Sequence, residues 1–263
     1  MNEPGAVRMK VRVLGCSGGI GGQDLRTTSF LVDDDILIDA GTGLTDLSLD
    51  ELAAINHVFI THSHLDHIVA LPLMIDSVAR LRDTPVTVHA SASTIDMIRA
   101  YIFNGVIWPD FSEIAIRRCK ILTYEAIHVG QQVRLGRRNI VAVPAVHTVP
   151  AVGYHLDSGD ASLVFTGDTT VNDLLWPIIN QIANLRYLII ESSFSNRDEA
   201  LARRSRHLCP RLLFAELDKM TVTAEIFVTH LKPGQIDIIT AELSEPEERL
   251  PPGILRKDQV FEF

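Results

Sequence analysis

The feature that most constrains this chain is a run of six residues with three imidazoles and one carboxylate, His62-Ser63-His64-Leu65-Asp66-His67. It follows the apolar residues 57–61, which predict a strand, and precedes the apolar residues 68–71, which predict a helix start. His62 and His64 would point to one side of an extended segment, while Asp66 and His67 would reach a second position beyond the turn. Imidazole and carboxylate are ligands of divalent metals at open sites. The spacing therefore predicts two metal ions side by side.

The alternative interpretation is a polar loop whose histidines only cap the following helix. A single histidine would fit that role without further comment. The density of ligand-type side chains between His62 and His67 disfavours it.

The string H-x-H-x-D-H after an apolar strand resembles the first metal motif of the metallo-β-lactamase superfamily. The longer string through Ile68 is similar to the class II 3′,5′-cyclic-nucleotide phosphodiesterases within that superfamily. Three further strings carry the same resemblance, at residues 108–111, at 191–196, and at 206–210 with 229–233. The chain departs from the class II pattern at Ala70, where a small residue, usually Gly or Ser, is expected, and at Arg206, where Gly is expected.

The order of strands and helices predicts the fold class independently of this resemblance. Many short strands with interspersed helices predict an α+β (α/β) protein in which two sheets pack together and helices cover them. The resemblance implies the same architecture, a four-layer αββα sandwich with the metal site at the edge between the two sheets. We expect one domain over residues 1–263. The apolar patterning predicts, among other elements, a strand from Val7 to Val13, a strand over 114–122, and helices over 44–55, 68–82 and 171–183.

The resemblance implies a division of the metal ligands. One metal would be held by His62, His64 and His147, the other by Asp66, His67 and His230, with Asp168 and a water or hydroxide bridging the two. Asp39 would support the ligands by hydrogen bonding, although a turn-forming role is equally compatible with the sequence. Zinc fits these ligands, and manganese or iron would bind similarly.

The resemblance also implies a reaction. A hydroxide between the metals would attack phosphorus, and a 3′,5′-cyclic nucleotide (cAMP or cGMP) would open to a nucleoside 5′-monophosphate. Asp66 counts among the catalytic residues as well as the ligands. His207 is the candidate to protonate the leaving oxygen or to bind the phosphate, unless it is simply a histidine on a helix surface. Lys232 would contact phosphate, and Trp108 would stack on the base unless it belongs to the core.

The composition limits the kinds of partner that the protein can bind. A net charge of −9 disfavours a protein that holds long nucleic acid, but not a small phosphate ester beside a metal pair. No apolar run reaches membrane-spanning length, no apolar signal core is present at the start, and the three cysteines form neither a zinc spacing nor a disulfide framework. We therefore expect a cytoplasmic protein with a small-molecule cyclic nucleotide as partner and no membrane. A homodimer is the tendency of the family.

Four other functions have to be weighed against the sequence. A tRNase Z-type endonuclease shares all the metal ligands but usually carries an RNA-binding arm, for which the short stretch between His147 and Asp168 leaves no room. An acyl hydrolase (a lactonase or thioesterase) is compatible with the same metal pair. A diiron oxidoreductase of this fold typically has Glu in place of His64, and a non-enzymatic binding module would have lost ligands.

Overall fold

The computed structural model describes residues 8–116, 118–245 and 250–263. Two seven-stranded sheets pack face to face, and helices cover both outer faces. This confirms the predicted αββα class. Among the described residues, no helix combines the length and the apolar character needed to cross a bilayer.

The first sheet is built by the N-terminal half of the chain and one late strand. In spatial order its strands are β16 (Val260–Glu262), β1 (Lys10–Gly15), β2 (Ser29–Val32), β3 (Ile36–Ile38), β4 (His57–Phe59), β5 (Val86–Ala90) and β8 (Leu122–Ala126). The first four of these pair antiparallel, and β3, β4, β5 and β8 pair parallel. Its helices are α1 (Leu49–Ala54), α2 (Leu65–Ile68), α3 (Leu71–Val78) and α4 (Ala92–Tyr101), and a two-stranded ladder of β6 (Ala115–Ile116) and β7 (Cys119–Lys120) precedes β8.

The second sheet follows the same plan. In spatial order its strands are β15 (Gly253–Ile254), β14 (Glu225–Thr229), β13 (Leu185–Glu191), β12 (Ser162–Phe165), β11 (Val152–Asp157), β10 (Arg138–Pro144) and β9 (Gln132–Leu135). Strands β9 to β12 pair antiparallel, and β12 to β15 pair parallel. Its helices are α5 (Trp176–Ile179), α6 (Glu199–Ser205), α7 (Pro210–Leu217) and α8 (Ile236–Ser244).

Strand side chains are buried on both faces of each sheet. Ile36 and Ile38 of β3 face the other sheet, whereas Leu37 between them packs under the helices, as the two-residue period of a strand requires. On the second sheet, Ile189 faces inward and Leu188 packs under the outer helices. This explains why the strands read as continuous apolar runs rather than as an alternating pattern.

Several predicted elements are shorter in the structure than in the sequence analysis. The predicted helix over 171–183 is reduced to α5 because Pro177 can sit only in the first turn of a helix. Pro72 likewise starts α3 and divides the predicted helix over 68–82 into two. Arg118 has φ +71°, a turn conformation that breaks the predicted strand over 114–122 into the β6–β7 ladder.

Two more predictions are corrected at their starts. Helix α1 begins later than the predicted helix over 44–55, because Ser48 and Glu51 form a reciprocal capping box at its N-terminus. A separate 3-10 turn, Thr42–Asp46, precedes it. The predicted first strand appears as β1, and Val7 lies outside the described residues.

Candidate metal centre

All seven predicted ligands lie at one edge of the sandwich, in loops or in the short helix α2. His62 follows β4, His64 to His67 enter α2, and the other three follow β10, β12 and β14. The parallel strands of both sheets direct their carboxyl ends to this edge, so residues distant in sequence meet there. Asp66 and His230, for example, are 164 residues apart in sequence, yet their side chains approach to 3.2 Å.

The first cluster contains three histidines. Nδ1 of His64 lies 3.1 Å from Nε2 of His62 and 3.1 Å from Nε2 of His147. The rings meet edge to face at centroid distances of 4.7 and 4.8 Å. Three nitrogens therefore converge on one point, the arrangement that a divalent cation with imidazole ligands requires.

The second cluster contains Asp66, His67 and His230, and Asp168 lies between the clusters. Nε2 of His230 is 3.2 Å from Oδ2 of Asp66, and Nε2 of His67 is 3.9 Å from the same oxygen. Oδ2 of Asp168 lies 3.3 to 3.4 Å from Nε2 of His230 and His67, 3.8 Å from Nε2 of His62, and 4.0 Å from Nε2 of His147. A single carboxylate oxygen thus faces imidazoles of both clusters.

The outer ring nitrogens of four histidines are already used within the protein. Nδ1 of His67 donates to the Asp39 carboxylate at 2.7 Å, and Nδ1 of His147 donates to the Arg206 carbonyl at 2.9 Å. Thr61 Oγ1 gives its proton to Asp39 and so accepts from Nδ1 of His62 at 3.0 Å. Ser193 Oγ donates to a carboxylate and therefore accepts from Nδ1 of His230 at 3.0 Å. In the neutral form of each ring, Nε2 therefore carries no proton and can bind a metal.

The electrostatics of the site also fit a cation. Burial lowers the pKa of His67, but Asp168 and Asp39 more than offset this and raise it well above its usual range. Among the described residues, Nε2 of His67 has no hydrogen-bond partner although it is fully buried. Burial would raise the pKa of Asp168, yet the neighbouring His230 and His67 hold it well below its usual range. The donor set and this orphaned nitrogen fit divalent metal ions.

A third group, absent from the predicted ligand set, adjoins both clusters. The fully buried Glu191, at the end of β13, accepts a hydrogen bond from Nδ1 of His207 at 2.7 Å and another from Ser193 at 2.7 Å. One nitrogen of His207 lies within 4.8 Å of ligand atoms of both His147 and Asp168. Burial lowers the pKa of His207, but the charge and hydrogen bond of Glu191 raise it overall.

The sequence carries a signal for Glu191, although the predicted site does not include this residue. A lone carboxylate ends the otherwise apolar strand β13, and such a buried charge requires partners. Asp39, in contrast, lies where the resemblance implied, completely buried against His67 and held by the Thr61 amide at 2.8 Å.

The other two predicted site residues are held by different contacts. Nζ of Lys232 donates to the Gly18 carbonyl at 2.8 Å, which ties it to the glycine-rich loop after β1. Gly18 lies close to the centre, since a Cβ on it would come within 2.5 Å of the His230 carbonyl. Trp108 is partly buried and packs against the core under the first sheet. Its role in base stacking stays a prediction.

An open cavity of about 700 Å³ adjoins His147. Its walls include the apolar Ile127 and Val149 with the polar Thr148 and the guanidinium-bearing Arg206. This volume lies within the range of small-molecule sites.

Comparisons with known proteins agree with this geometry. Residues 34–231 match the family described as Beta-lactamase superfamily domain. A "Probable 3',5'-cyclic-nucleotide phosphodiesterase" of Yersinia pestis is 27% identical over 278 positions, covering 86% of this chain and 78% of that protein. A "Ribonuclease Z" of Methanococcus maripaludis is 32% identical over 101 residues, covering 38% of this chain and 31% of the relative. The crystal structure of unliganded yeast PDE1 superposes with a TM-score of 0.76 at 19% identity, covering 95% and 96% of the two chains.

The fold and the converging ligands thus define a hydrolytic enzyme with the metallo-β-lactamase architecture. The chain belongs to the beta-lactamase superfamily domain family, which implies divalent metal ions. The resemblance to the superfamily and to its cyclic-nucleotide phosphodiesterases is confirmed.

Proposed function

We propose that this enzyme hydrolyses 3′,5′-cyclic nucleotides to nucleoside 5′-monophosphates. The observation that carries the proposal is the single Asp168 oxygen facing imidazoles of two adjacent ligand clusters, with the Glu191–His207 pair beside them. The Yersinia pestis relative, named for this activity, supports the choice of substrate.

His62, His64 and His147 would hold one divalent ion, and Asp66, His67 and His230 the other, with Asp168 shared between them. Two such ions would supply an activated water and positive charge opposite the phosphoryl oxygens. Zinc is the ion we propose, because imidazole and carboxylate ligands in open sites suit it, with manganese or iron as alternatives.

His207 is proposed to protonate the departing oxygen. Its Nδ1 is engaged by Glu191, so Nε2 is the nitrogen that would give the proton to the leaving alkoxide. The raised pKa favours the protonated ring at neutral pH. The carboxylate of Glu191 fixes the ring orientation and stabilises its charge.

The cavity beside His147 is proposed to receive the nucleoside part of the substrate. Its apolar and polar walls suit a molecule with one planar base and several hydroxyls, and its volume suits one nucleotide rather than a long chain. Lys232 and Trp108 remain proposed phosphate and base contacts.

The experiment that tests the substrate is hydrolysis of cAMP and cGMP beside bis(p-nitrophenyl) phosphate, by metal-loaded and by chelator-stripped protein. We expect metal-dependent formation of 5′-monophosphates. Turnover of the artificial diester alone would reject cyclic nucleotides and direct the search to RNA 3′ ends. Two bound metals with no phosphodiester turnover would direct it to acyl substrates such as lactones and thioesters.

A ribonuclease Z-like endonuclease is the second candidate, favoured by the match to the Methanococcus maripaludis protein. The residues between His147 and Asp168 form only β11, β12 and their short connections, which leaves no arm for RNA in that interval. The net charge of −9 also disfavours a long polyanion. Cleavage of a precursor tRNA by this protein alone would establish this candidate over the first.

We propose a cytoplasmic enzyme that forms one domain and assembles as a homodimer, with a small-molecule cyclic nucleotide as its partner. Size-exclusion chromatography with light scattering distinguishes the homodimer from a monomer of 29.1 kDa.

A further inference from the structure

Arg206 and His147 are joined by two hydrogen bonds that run in opposite directions. The Nδ1–H of His147 donates to the main-chain carbonyl of Arg206 at 2.9 Å, because a carbonyl oxygen can only accept. The guanidinium Nη1 of Arg206 donates to the main-chain carbonyl of His147 at 2.6 Å. The two residues therefore hold each other by both side chain and backbone.

The backbone of Arg206 makes the first of these bonds available. Arg206 ends α6 with φ +55° and ψ +49°, and its amide closes that helix on Ala202 and Arg203. The left-handed conformation favours glycine, which adopts it without steric cost. A residue with a side chain at such a position costs conformational free energy, unless contacts of that side chain offset the cost.

The guanidinium supplies a contact that glycine lacks. It reaches the loop after β10 and donates to the main chain of His147 in that loop. The carbonyl of Arg206 sets the ring's tautomer, since it places the proton on Nδ1 and leaves Nε2 bare. Nε2 then faces Nδ1 of His64 at 3.1 Å and Asp168 at 4.0 Å.

We propose that Arg206 is a positioning residue for His147. Its carbonyl sets the tautomer of the His147 ring and its guanidinium sets the position of the loop, so that Nε2 is delivered to the ion held with His62 and His64. The metal-binding part of this inference rests on the proposed function, and the tautomer part does not.

Substitution of Arg206 can remove the guanidinium contact while the main-chain carbonyl contact stays. Arg206→Gly keeps the carbonyl and relieves the backbone, but removes the guanidinium. Arg206→Asn also keeps the carbonyl and removes the guanidinium. Asparagine tolerates the left-handed conformation and leaves the chain less flexible than glycine does. Arg204→Ala is the matched control, because it removes an equal charge from a neighbouring exposed arginine on α6.

Three measurements on these variants test the proposal. Zinc affinity from competition with a chromogenic chelator should fall about tenfold for one of the two ions in both Arg206 variants and stay unchanged in Arg204→Ala. The melting temperature of the metal-free Arg206→Gly protein should equal or exceed that of the wild type. Ring-nitrogen NMR spectra of the metal-free proteins should show the single Nδ1–H tautomer of His147 in the wild type and in both Arg206 variants, because each variant keeps the main-chain carbonyl.

Wild-type zinc affinity in both Arg206 variants overturns the role of the guanidinium, and a wild type without a single Nδ1–H tautomer of His147 overturns the role of the carbonyl. An equal loss of zinc affinity in Arg204→Ala also overturns the role of the guanidinium, because net charge alone would then be the cause. A wild type that binds zinc without hydrolysing cyclic nucleotides rejects the proposed substrate only. A wild type without zinc binding rejects the proposed function, and the tautomer then decides the role of Arg206.

Discussion

Oδ2 of Asp39 lies 2.7 Å from Nδ1 of His67, and both side chains are completely buried. The other contacts of Asp39 come from the amide and hydroxyl of Thr61, the residue immediately before His62. Asp39 itself has φ +57°, a left-handed conformation that is uncommon for a residue with a side chain. One carboxylate thus orients a proposed ligand and also fixes the start of the loop that carries four of the seven.

Asp39→Asn tests this relationship. We expect the affinity for the ion at Asp66, His67 and His230 to fall about 10- to 100-fold, because a neutral amide no longer enforces the His67 tautomer. Zinc competition titration measures the change. The exposed Asp34→Asn is the control, and equal affinities in the two variants would rule out a supporting role for Asp39.

Removal of single ligands should separate the two ions. We expect His62→Ala and His230→Ala each to retain about one metal equivalent, since each leaves one cluster complete, and Asp168→Ala to weaken both. Metal content after dialysis, measured by mass spectrometry, gives the stoichiometry. His155→Gln, in β11, is the control. Retention of two equivalents in all three site variants would contradict the dinuclear assignment.

His207→Ala and Glu191→Gln should slow the reaction in a way that depends on the leaving group. For a cyclic nucleotide, whose leaving alkoxide needs a proton, we expect kcat to fall about 10²- to 10⁴-fold. For bis(p-nitrophenyl) phosphate, whose leaving phenolate needs none, we expect a much smaller loss. Parallel steady-state kinetics on the two substrates make the comparison. Equal losses on both would assign the pair to substrate binding or structure instead.

His89, which is not a predicted metal ligand, should make the stability of the fold depend on pH. Burial and then the charge of His57 lower its pKa to about 4, against 6.5 for an unfolded chain. Between these values the unfolded chain binds the extra proton, so stability rises with pH and is complete above about 6.5. The contribution is lost as pH falls toward 4.

Urea unfolding of metal-free protein between pH 4.5 and 7.5 measures this dependence. We expect His89→Asn to remove roughly 1.4 kcal/mol per pH unit from the slope in the acidic part of the range. The variant should be less stable at every pH, since His89 stacks on Phe59 at 4.3 Å. A slope identical to that of the wild type would mean that His89 titrates normally in the folded state.

The sequence predicted the local part of the centre and not its assembly. The spacing from His62 to His67 indicates two metal positions because the contacts within it are short-range. Nothing local marks His147 or His230 as their partners, and only the family resemblance grouped them. Glu191 was missed as a functional residue because its partners come from other elements, although its isolation in an apolar strand was visible.

The predicted lengths of two helices were wrong for one physical reason. The predicted helices over 68–82 and 171–183 run across Pro72 and Pro177, because the apolar periodicity continues through both prolines. In the folded chain each proline sits in the first turn of its helix, so the element begins there instead of continuing.

The division of the ligands between the two sheets has a consequence for biosynthesis. The side chains of the first motif leave the ribosome long before His230, which pairs with Asp66 across 164 residues of chain. Until that late segment arrives and the second sheet docks, a nascent chain offers an ion only an incomplete coordination shell. Binding of the proposed ions would then follow translation, and it would require that both sheets have already packed against each other.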